Sequence, residues 1–351
     1  MIDSTKIAAI DMFCGVGGLT HGLKMSGIPV LAGFDIDEAC KYSYEENNQA
    51  KFVAKDIRQI TAKEILDFFP ENHEKIMVGC APCQTFSTHT HKISNREKDQ
   101  KWGLITEYLK KIIEVKPSIV SMENVPGITK YSIFDEFVEA LEKEGFFVTY
   151  KIVFCPDYGI AQSRSRLVLL ASKYGEIKLI PPTHNKDSYL TVKDVIGHLP
   201  PIRSGESNKT DALHFSASLS DLNKKRMLAS KPGGSWMDWP KKLRSNCHKK
   251  ATGSTYKSVY ARMKWDALAP TITTQFYNFG TGRFGHPEQN RALSVREGAL
   301  IQTFPESYKF LPSSEPVIKT KICRMIGNAV PVRLGEVIGL SILQHLSAFN
   351  K

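Results

Sequence analysis

Long apolar runs are missing from this sequence: none approaches the ~18–20 residues that a membrane-crossing helix requires. The first residues, Met1-Ile2-Asp3-Ser4-Thr5-Lys6, carry an acid and lead into only a short apolar run, unlike a secretory signal. Paired cysteines are missing too. The seven present, at positions 14, 40, 80, 83, 155, 247 and 323, are odd in number and scattered, which argues against a disulfide framework and suits a reducing cytoplasm. No second close Cys or His pair accompanies Cys80 and Cys83, so no metal site is expected. Internal repeats and low-complexity tracts are absent. Acid is scarce in one place: residues 183–286 hold 17 Lys+Arg against 7 Asp+Glu, whereas the rest of the chain holds 30 against 29. Nearly all of the net charge of +11 therefore lies in that block. A charge run is often only a solvated face, but an asymmetry this complete favours a polyanion, nucleic acid first.

An apolar content of 42% over 351 residues is ample for a core and for more than one domain. The first 180 residues alternate β-branched or apolar runs with amphipathic stretches, the pattern of a mostly parallel α/β sheet. Strands are predicted at 7–13, 29–34, 75–79, 118–122, 149–154 and 167–171, with helices at 19–25 and 104–115. After Pro181-Pro182 the chain turns Ser-, Asn-, Gly- and Lys-rich until about His286. Helical signals return from Arg291, and 331–348 reads as an amphipathic closing helix. The expected organisation is a discontinuous larger domain, 1–182 and 287–351, and a smaller one, 183–286.

The first predicted strand runs into Gly15-Val16-Gly17-Gly18 and then a helix, a turn whose glycines permit close backbone approach to a ligand. A plain strand–helix turn shows the same cluster. A dinucleotide site is disfavoured, because Thr20 stands where that fingerprint has its third glycine. Asp35-Ile36 ends the next strand, with Asp35 17 residues beyond Gly18, where a carboxylate accepts ribose hydroxyls. Asp56-Ile57 follows one more expected strand, third in chain order and additional to those above, offering an acid to an adenine amino group and an aliphatic cover to the ring. Taken in order, these residues suit a nucleoside without pyrophosphate, such as S-adenosylmethionine.

Gly79-Cys80-Ala81-Pro82-Cys83-Gln84-Thr85-Phe86-Ser87 puts thiols just beyond another strand, and Glu123-Asn124-Val125 puts a carboxylate at the end of the next. The Cys-x-x-Cys spacing also occurs in zinc and thioredoxin-like redox sites, but zinc lacks its other ligands here and the Gly-rich first turn argues against the redox fold. A buried, inert thiol is the expectation for Cys80. Cys83 lies after a proline and before polar residues, where a loop would expose it and helix dipoles would lower its pKa. Glu123 alone reads as an ordinary strand-end carboxylate; beside the Cys83 segment it reads as the partner of a nucleophile.

In this order the motifs resemble those of the DNA cytosine-5 methyltransferase family, bacterial restriction–modification type, over the whole chain apart from the central block. The resemblance implies a Rossmann-like S-adenosylmethionine-dependent methyltransferase domain, closed by the C-terminal helix and facing a target-recognition domain. Phe13, Gly15, Gly17 and Gly18 would form the cofactor loop, with Phe13 against the adenine. Asp35, Ile36, Asp56, Ile57, Pro82 and Leu104 would line the pocket, and Asn328 and Ala329, within Gly327-Asn328-Ala329-Val330-Pro331, would return to it. Pro82-Cys83-Gln84 resembles the nucleophile motif and Glu123-Asn124-Val125 the carboxylate motif. Gln162-Ser163-Arg164-Ser165-Arg166 resembles a Q-x-R-x-R element, in which Arg166 would hold cytosine O2 and Arg164 would support the site. Residues 291–305 resemble the segment that organises the recognition domain. Ala81 and Ala161 replace prolines common in the family; neither change removes a reacting group.

The implied chemistry follows from cytosine itself. C5 is too weak a nucleophile to take a methyl group until a thiolate, here Cys83, has added at C6. Glu123, protonated or sharing a proton with N3, would stabilise the charge that develops. A stacked cytosine cannot present C6, so the base would be flipped out of double-stranded DNA. Residues 84–102 resemble the family's closing loop, with Gln84, Ser87 and His89 toward DNA. In the basic block, the lysines at 224–225, 241–242 and 249–250 are expected on phosphates. Arg244, Arg262 and Arg283 are candidates for guanine edges, and Tyr277-Asn278-Phe279-Gly280 for a recognition loop. Surface solvation is the alternative for each. The enzyme is expected to act as a cytoplasmic monomer; a cognate restriction endonuclease is compatible with this and not required. A tRNA cytosine-5 methyltransferase branch shares the motifs, but its Cys-Phe-Thr tripeptide is absent, as is the Asp/Asn/Ser-Pro-Pro-aromatic motif of amino methyltransferases. A DNA-binding protein without catalysis is opposed by Cys83, Glu123 and Arg166.

Overall fold

The computed structural model describes residues 6–82, 103–250, 253 and 257–349. By packing the chain divides into two units: Met1–Tyr158 with Ser165–Thr183 and Ala329–Lys351, and Gly159–Arg164 with His184–Asn328.

The first unit is built on a seven-stranded sheet. Its strands are β1 (Ile7–Met12), β2 (Val30–Asp35), β3 (Lys51–Ala54), β4 (Glu74–Gly79), β5 (Ile119–Asn124), β6 (Phe147–Phe154) and β8 (Ser165–Ser172); the short β7 (Gln162–Ser163) belongs to the other unit. The order is β3-β2-β1-β4-β5-β8-β6. The first five run parallel, and β8 lies antiparallel between β5 and β6. This is an α/β fold with a mostly parallel sheet, as the alternating texture predicts. Every residue of β1 and of β5 is buried, which is why both read as apolar, β-branched runs. Helices α1 (Gly18–Ser26), α2 (Lys41–Asn48), α3 (Ala62–Leu66), α4 (Gly103–Val115) and α5 (Ser132–Lys143) follow strands in the parallel part. The core gathers Ile10, Met77 and Val120 of the sheet with Ile105, Tyr108 and Ile112 of α4.

The last helix of the chain, α10 (Val332–Ser347), packs against α1. The two approach backbone to backbone: a Cβ on Gly22 would collide with Val332 O, and one on Gly335 would meet Leu19 O at 2.8 Å. By length and composition the run Lys319–Ser347 would qualify as a membrane span, but 61% of its apolar window is buried and residues 329–331 interrupt the helix. Its apolarity is that of a core face.

The second unit has little regular structure: a parallel pair of β7 with β9 (Ala269–Pro270), and helices α6 (Val192–Ile196), α7 (Asp221–Leu228), α8 (Val295–Ile301) and α9 (Lys319–Asn328). Aromatic packing replaces sheet burial. Trp236, Trp239 and Phe279 form a cluster with Met227, against which Tyr260 packs. Residues 287–328, expected from the sequence to join the larger domain, pack here instead, because polar contacts tie α8 and its approach to the start of this unit. Arg291 donates to Ile202 O at 3.1 Å, and Arg296 pairs with Asp211 at 2.6 Å. Arg291 also grips Glu297 through two hydrogen bonds of 2.7 and 2.6 Å, both side chains almost wholly buried. Burial alone would raise the Glu297 carboxyl, but Arg291, His286 and the Ser294 N–H hold it down at about 2. Burial likewise pushes the His286 imidazole down to about 4.

Candidate active site

In a parallel sheet the residues that follow the strands gather along one edge, where ligands bind. Phe13, Gly15, Asp35, Asp56, Pro82 and Glu123, described residues at or just beyond strand ends, fall there. After β1, Phe13 takes a left-handed conformation (φ 61°), costly for a bulky residue and sustained by its surroundings. Cys14 N–H donates to Phe34 O at 3.1 Å, and the half-buried Phe13 ring meets Tyr108 edge to face at 6.2 Å. Gly15 and Gly17 are also left-handed, and among the described residues a Cβ on Gly15 would meet nothing within 4 Å, so the loop is open to them on that side. Gly17 and Gly18 start α1.

Asp35 ties this loop to the next. Its Oδ2 accepts Gly15 N–H and its Oδ1 accepts Asp37 N–H, each at 2.9 Å, leaving accepting capacity on both oxygens. Burial raises its pKa despite those two donors. Ile36, beside it, is 71% exposed, an aliphatic side chain standing in solvent. Asp56 caps the turn after β3, but Arg58 takes most of its capacity, through Nε at 2.9 Å, Nη2 at 2.5 Å and the backbone N–H at 3.0 Å; the Arg58 contact holds the Asp56 carboxyl below its ordinary value. Ile57 points into the core and is buried, not standing at the surface as a ring cover would. Pro82 and Leu104 are half-buried, Leu104 against the core. Asn328 closes α9 in the second unit, and Ala329 opens the last segment of the first.

Strand register assembles the carboxylate site. Gly79 of β4 lies opposite Met122 of β5, so one residue further brings Cys80 beside Glu123 and two bring Ala81 beside Asn124. Cys80 Sγ–H donates to Glu123 Oε2 at 2.8 Å, and Asn124 Nδ2 donates to Ala81 O at 3.3 Å. On the other side, Glu123 opposes Val168 of β8, which puts Arg166 diagonally across on the same face. Arg166 Nε lies 3.0 Å from Glu123 Oε1, an ion pair whose N–H is not aligned as a hydrogen bond. Glu123, only 2% exposed, thus has one oxygen held from each neighbouring strand. The expectation of a buried, inert Cys80 is corrected: the thiol is half-buried and bound to the carboxylate. Its Cys-x-x-Cys position is visible in the sequence; its pairing requires the register. Cys83, Gln84, Ser87 and His89 lie outside the described residues.

In the second unit, Gln162 Nε2 donates to Ile301 O and Gln302 Oε1 at 3.0 and 2.9 Å, while its Oε1 accepts Ile272 N–H at 2.9 Å. Arg164 is buried beside it, donating to Ile272 O at 3.4 Å. The two arginines of the Q-x-R-x-R element therefore serve different units. Among the expected base readers, Arg262 is 7% exposed and its guanidinium donates to Glu288 O, Met227 O and Asn290 Oδ1, a structural role that takes it out of a surface reading set. Arg244 is half-buried and donates to Trp239 O and Met237 O. Arg283 is exposed. Phe279 of the expected recognition loop is fully buried. Arg226 is buried too, its guanidinium over Trp239 and Tyr260 at 5.3 and 5.2 Å. By contrast, every described lysine of 183–286 is exposed.

Residues 7–344 match the model of a family described as C-5 cytosine-specific DNA methylase. The chain is 51% identical over 347 residues to the Type II methylase M.HgiDII of Herpetosiphon aurantiacus, covering 98% of this chain and 97% of that one. It is 29% identical to the Type II methyltransferase M.Sau96I of Staphylococcus aureus, over 97% of this chain and 76% of that one. Among solved structures, a candidate DNA modification methyltransferase encoded within an E. coli prophage aligns with a TM-score of 0.74 at 20% identity, covering 97% and 99% of the two chains. The Entamoeba histolytica methyltransferase EhMeth aligns at 0.67 and 16% identity over 99% of each. These last two likenesses speak to the fold alone.

Proposed function

Because the chain belongs to the C-5 cytosine-specific DNA methylase family, we propose that it methylates C5 of a flipped-out cytosine within one short sequence of double-stranded DNA, through a covalent bond from Cys83 to C6. S-adenosylmethionine supplies the electrophilic methyl group. The residues present suit that cofactor: the open face at Gly15, the remaining accepting capacity of Asp35 for two ribose hydroxyls, and the exposed Ile36 beside it to cover an aromatic ring. Asp56, committed largely to Arg58, offers at most one remaining Oδ2 lone pair to an adenine amino group.

The Cys83 thiolate adds to C6 and makes C5 nucleophilic. Electron density pushed onto the ring collects at N3, where Glu123 holds or shares a proton. Arg166, paired with Glu123 Oε1, faces the same carboxyl and binds cytosine O2. Once C5 carries the methyl group, a water takes the C5 proton and the C6–S bond breaks, restoring the aromatic base and the Cys83 thiolate. The observation that carries this reading is the Glu123 carboxyl, buried at the strand edge and held from both sides immediately beside the segment that leads to Cys83. Exposed lysines of the second unit bind phosphates, and exposed Arg283 is the base-reading candidate its placement supports. The enzyme acts as a monomer, and a partner endonuclease is not needed for turnover.

Tritium transfer from labelled S-adenosylmethionine to mixed-sequence duplex DNA, followed by bisulfite sequencing, tests this and yields the target. Cys83→Ser should abolish transfer while retaining specific DNA binding, and Glu123→Gln should slow covalent addition by roughly 10²-fold or more. Turnover by Cys83→Ser, or label appearing only in tRNA, would overturn the reading.

A further inference from the structure

We propose that Cys80 is a positioning residue for Glu123, a role that rests on the reading of Glu123 as the group that manages the proton at cytosine N3. A carboxyl group turns easily about its last torsion, which is broad and two-fold. Arg166 holds only Oε1 of Glu123, and without an aligned hydrogen bond. The Cys80 thiol donates to the other oxygen, Oε2, at 2.8 Å from the opposite strand. With one oxygen fixed from β8 and the other from the end of β4, the plane of the carboxyl group is set. A thiol is a weak donor, so its effect is one of orientation more than of charge. Orientation is what proton transfer at a single ring nitrogen requires, since small misplacements of a reacting group carry large rate penalties.

The placement is built in at two levels. The Gly79–Met122 register delivers Cys80 to Glu123, and the adjacent Asn124–Ala81 hydrogen bond pins the backbone one residue further on. The thiol therefore sits on a tethered segment and not on a free loop end. The two thiols have different chemistry to perform. Cys83 forms the bond to C6, while Cys80 donates its S–H to Glu123 and acts through that neighbour.

The test compares Cys80→Ala, Cys80→Ser, Glu123→Gln and the double variant Cys80→Ala/Glu123→Gln in the full chain. Single-turnover tritium transfer and DNA affinity are both measured. Cys80→Ala should slow the single-turnover rate roughly tenfold, the scale of one lost hydrogen bond to a charged group, with DNA affinity unchanged. Cys80→Ser keeps a donor at this position and should recover most of that loss, which a simple packing role would not predict. The double variant should be no slower than Glu123→Gln alone, because Cys80 acts only through that carboxyl. Wild-type speed in Cys80→Ala, equal defects in the Ala and Ser variants, or additive losses in the double variant would each overturn the proposal. A near-normal rate in Glu123→Gln alone would instead remove the reading on which it rests.

Discussion

Asp11, fully buried near the end of β1, is a carboxyl group kept from water where the strand leads into the glycine-rich loop. Its Oδ2 accepts the Thr20 hydroxyl at 2.6 Å, and Thr20 also meets the Tyr44 hydroxyl at 3.1 Å. Its Oδ1 has no hydrogen-bond partner among the described residues. Burial raises the Asp11 pKa to about 7, against the lowering contributed by Thr20. The folded protein therefore keeps this proton up to about pH 7, whereas the unfolded chain releases it near 3.8. Stability from this group is present below the unfolded value and is lost as pH rises through about 7. Asp11→Asn removes the titration and retains an acceptor for Thr20. It should gain stability relative to wild type on moving from pH 5.5 to pH 8.5, by an amount on the order of a few kcal/mol. Thermal melts of both proteins at the two pH values check it, and parallel shifts would mean that Asp11 is not titrating in that range. Thr20 is legible in the sequence only as a break in the dinucleotide fingerprint. That it binds Asp11 depends on how α1 sits over β1, which composition does not state. Arg262 shows the same limit: an arginine in a basic block reads as surface charge until burial is known.

At the scale of elements, the strands are the most legible part of the chain, because buried parallel strands must be apolar runs and Ile7–Met12, Val30–Asp35 and Ile119–Asn124 are. The pairing of β4 with β5 is not legible, since register is a property of two segments about 40 residues apart. Without it neither Cys80–Glu123 nor Asn124–Ala81 follows from the sequence. The α1–α10 contact has a clearer signature once the helices are placed: Gly22 in α1 faces Gly335 in α10, and Gly339, one turn on, meets Leu23 and Ser26. A side chain on Gly22 would press on the backbone of Val332, Gly335 and Glu336, which cannot rotate away. Gly22→Ala should therefore destabilise the first unit by about 1–3 kcal/mol, despite the better helix propensity of alanine. Urea unfolding followed by circular dichroism measures this. A stabilised variant would show that the two helices separate readily.

Across the whole molecule, positive charge and structural role divide between two residue types. Lysines 241, 242, 249 and 250, like the other described lysines of 183–286, are exposed, while Arg226 and Arg262 are interior and form hydrogen bonds with carbonyl groups. Arginine suits the interior because its fork satisfies several acceptors at once, and lysine suits the surface because a mobile point charge accommodates any phosphate. The basic block evident in the composition is thus partly a scaffold, and its arginines overstate the number of base readers. DNA binding by the remaining lysines should release counterions, so the logarithm of affinity should fall linearly with that of salt, with a slope near −0.9 per phosphate contacted. Replacing Lys241 and Lys242 together by Ala should make that slope shallower by roughly 1–2 and weaken binding alike on target and unrelated duplexes. The methylated sequence should not change, because phosphate contacts carry no sequence information. Fluorescence anisotropy with both duplexes between low and moderate salt measures the slopes. An unchanged slope would place the DNA away from these lysines, and a loss confined to the target duplex would make one of them a reader of bases.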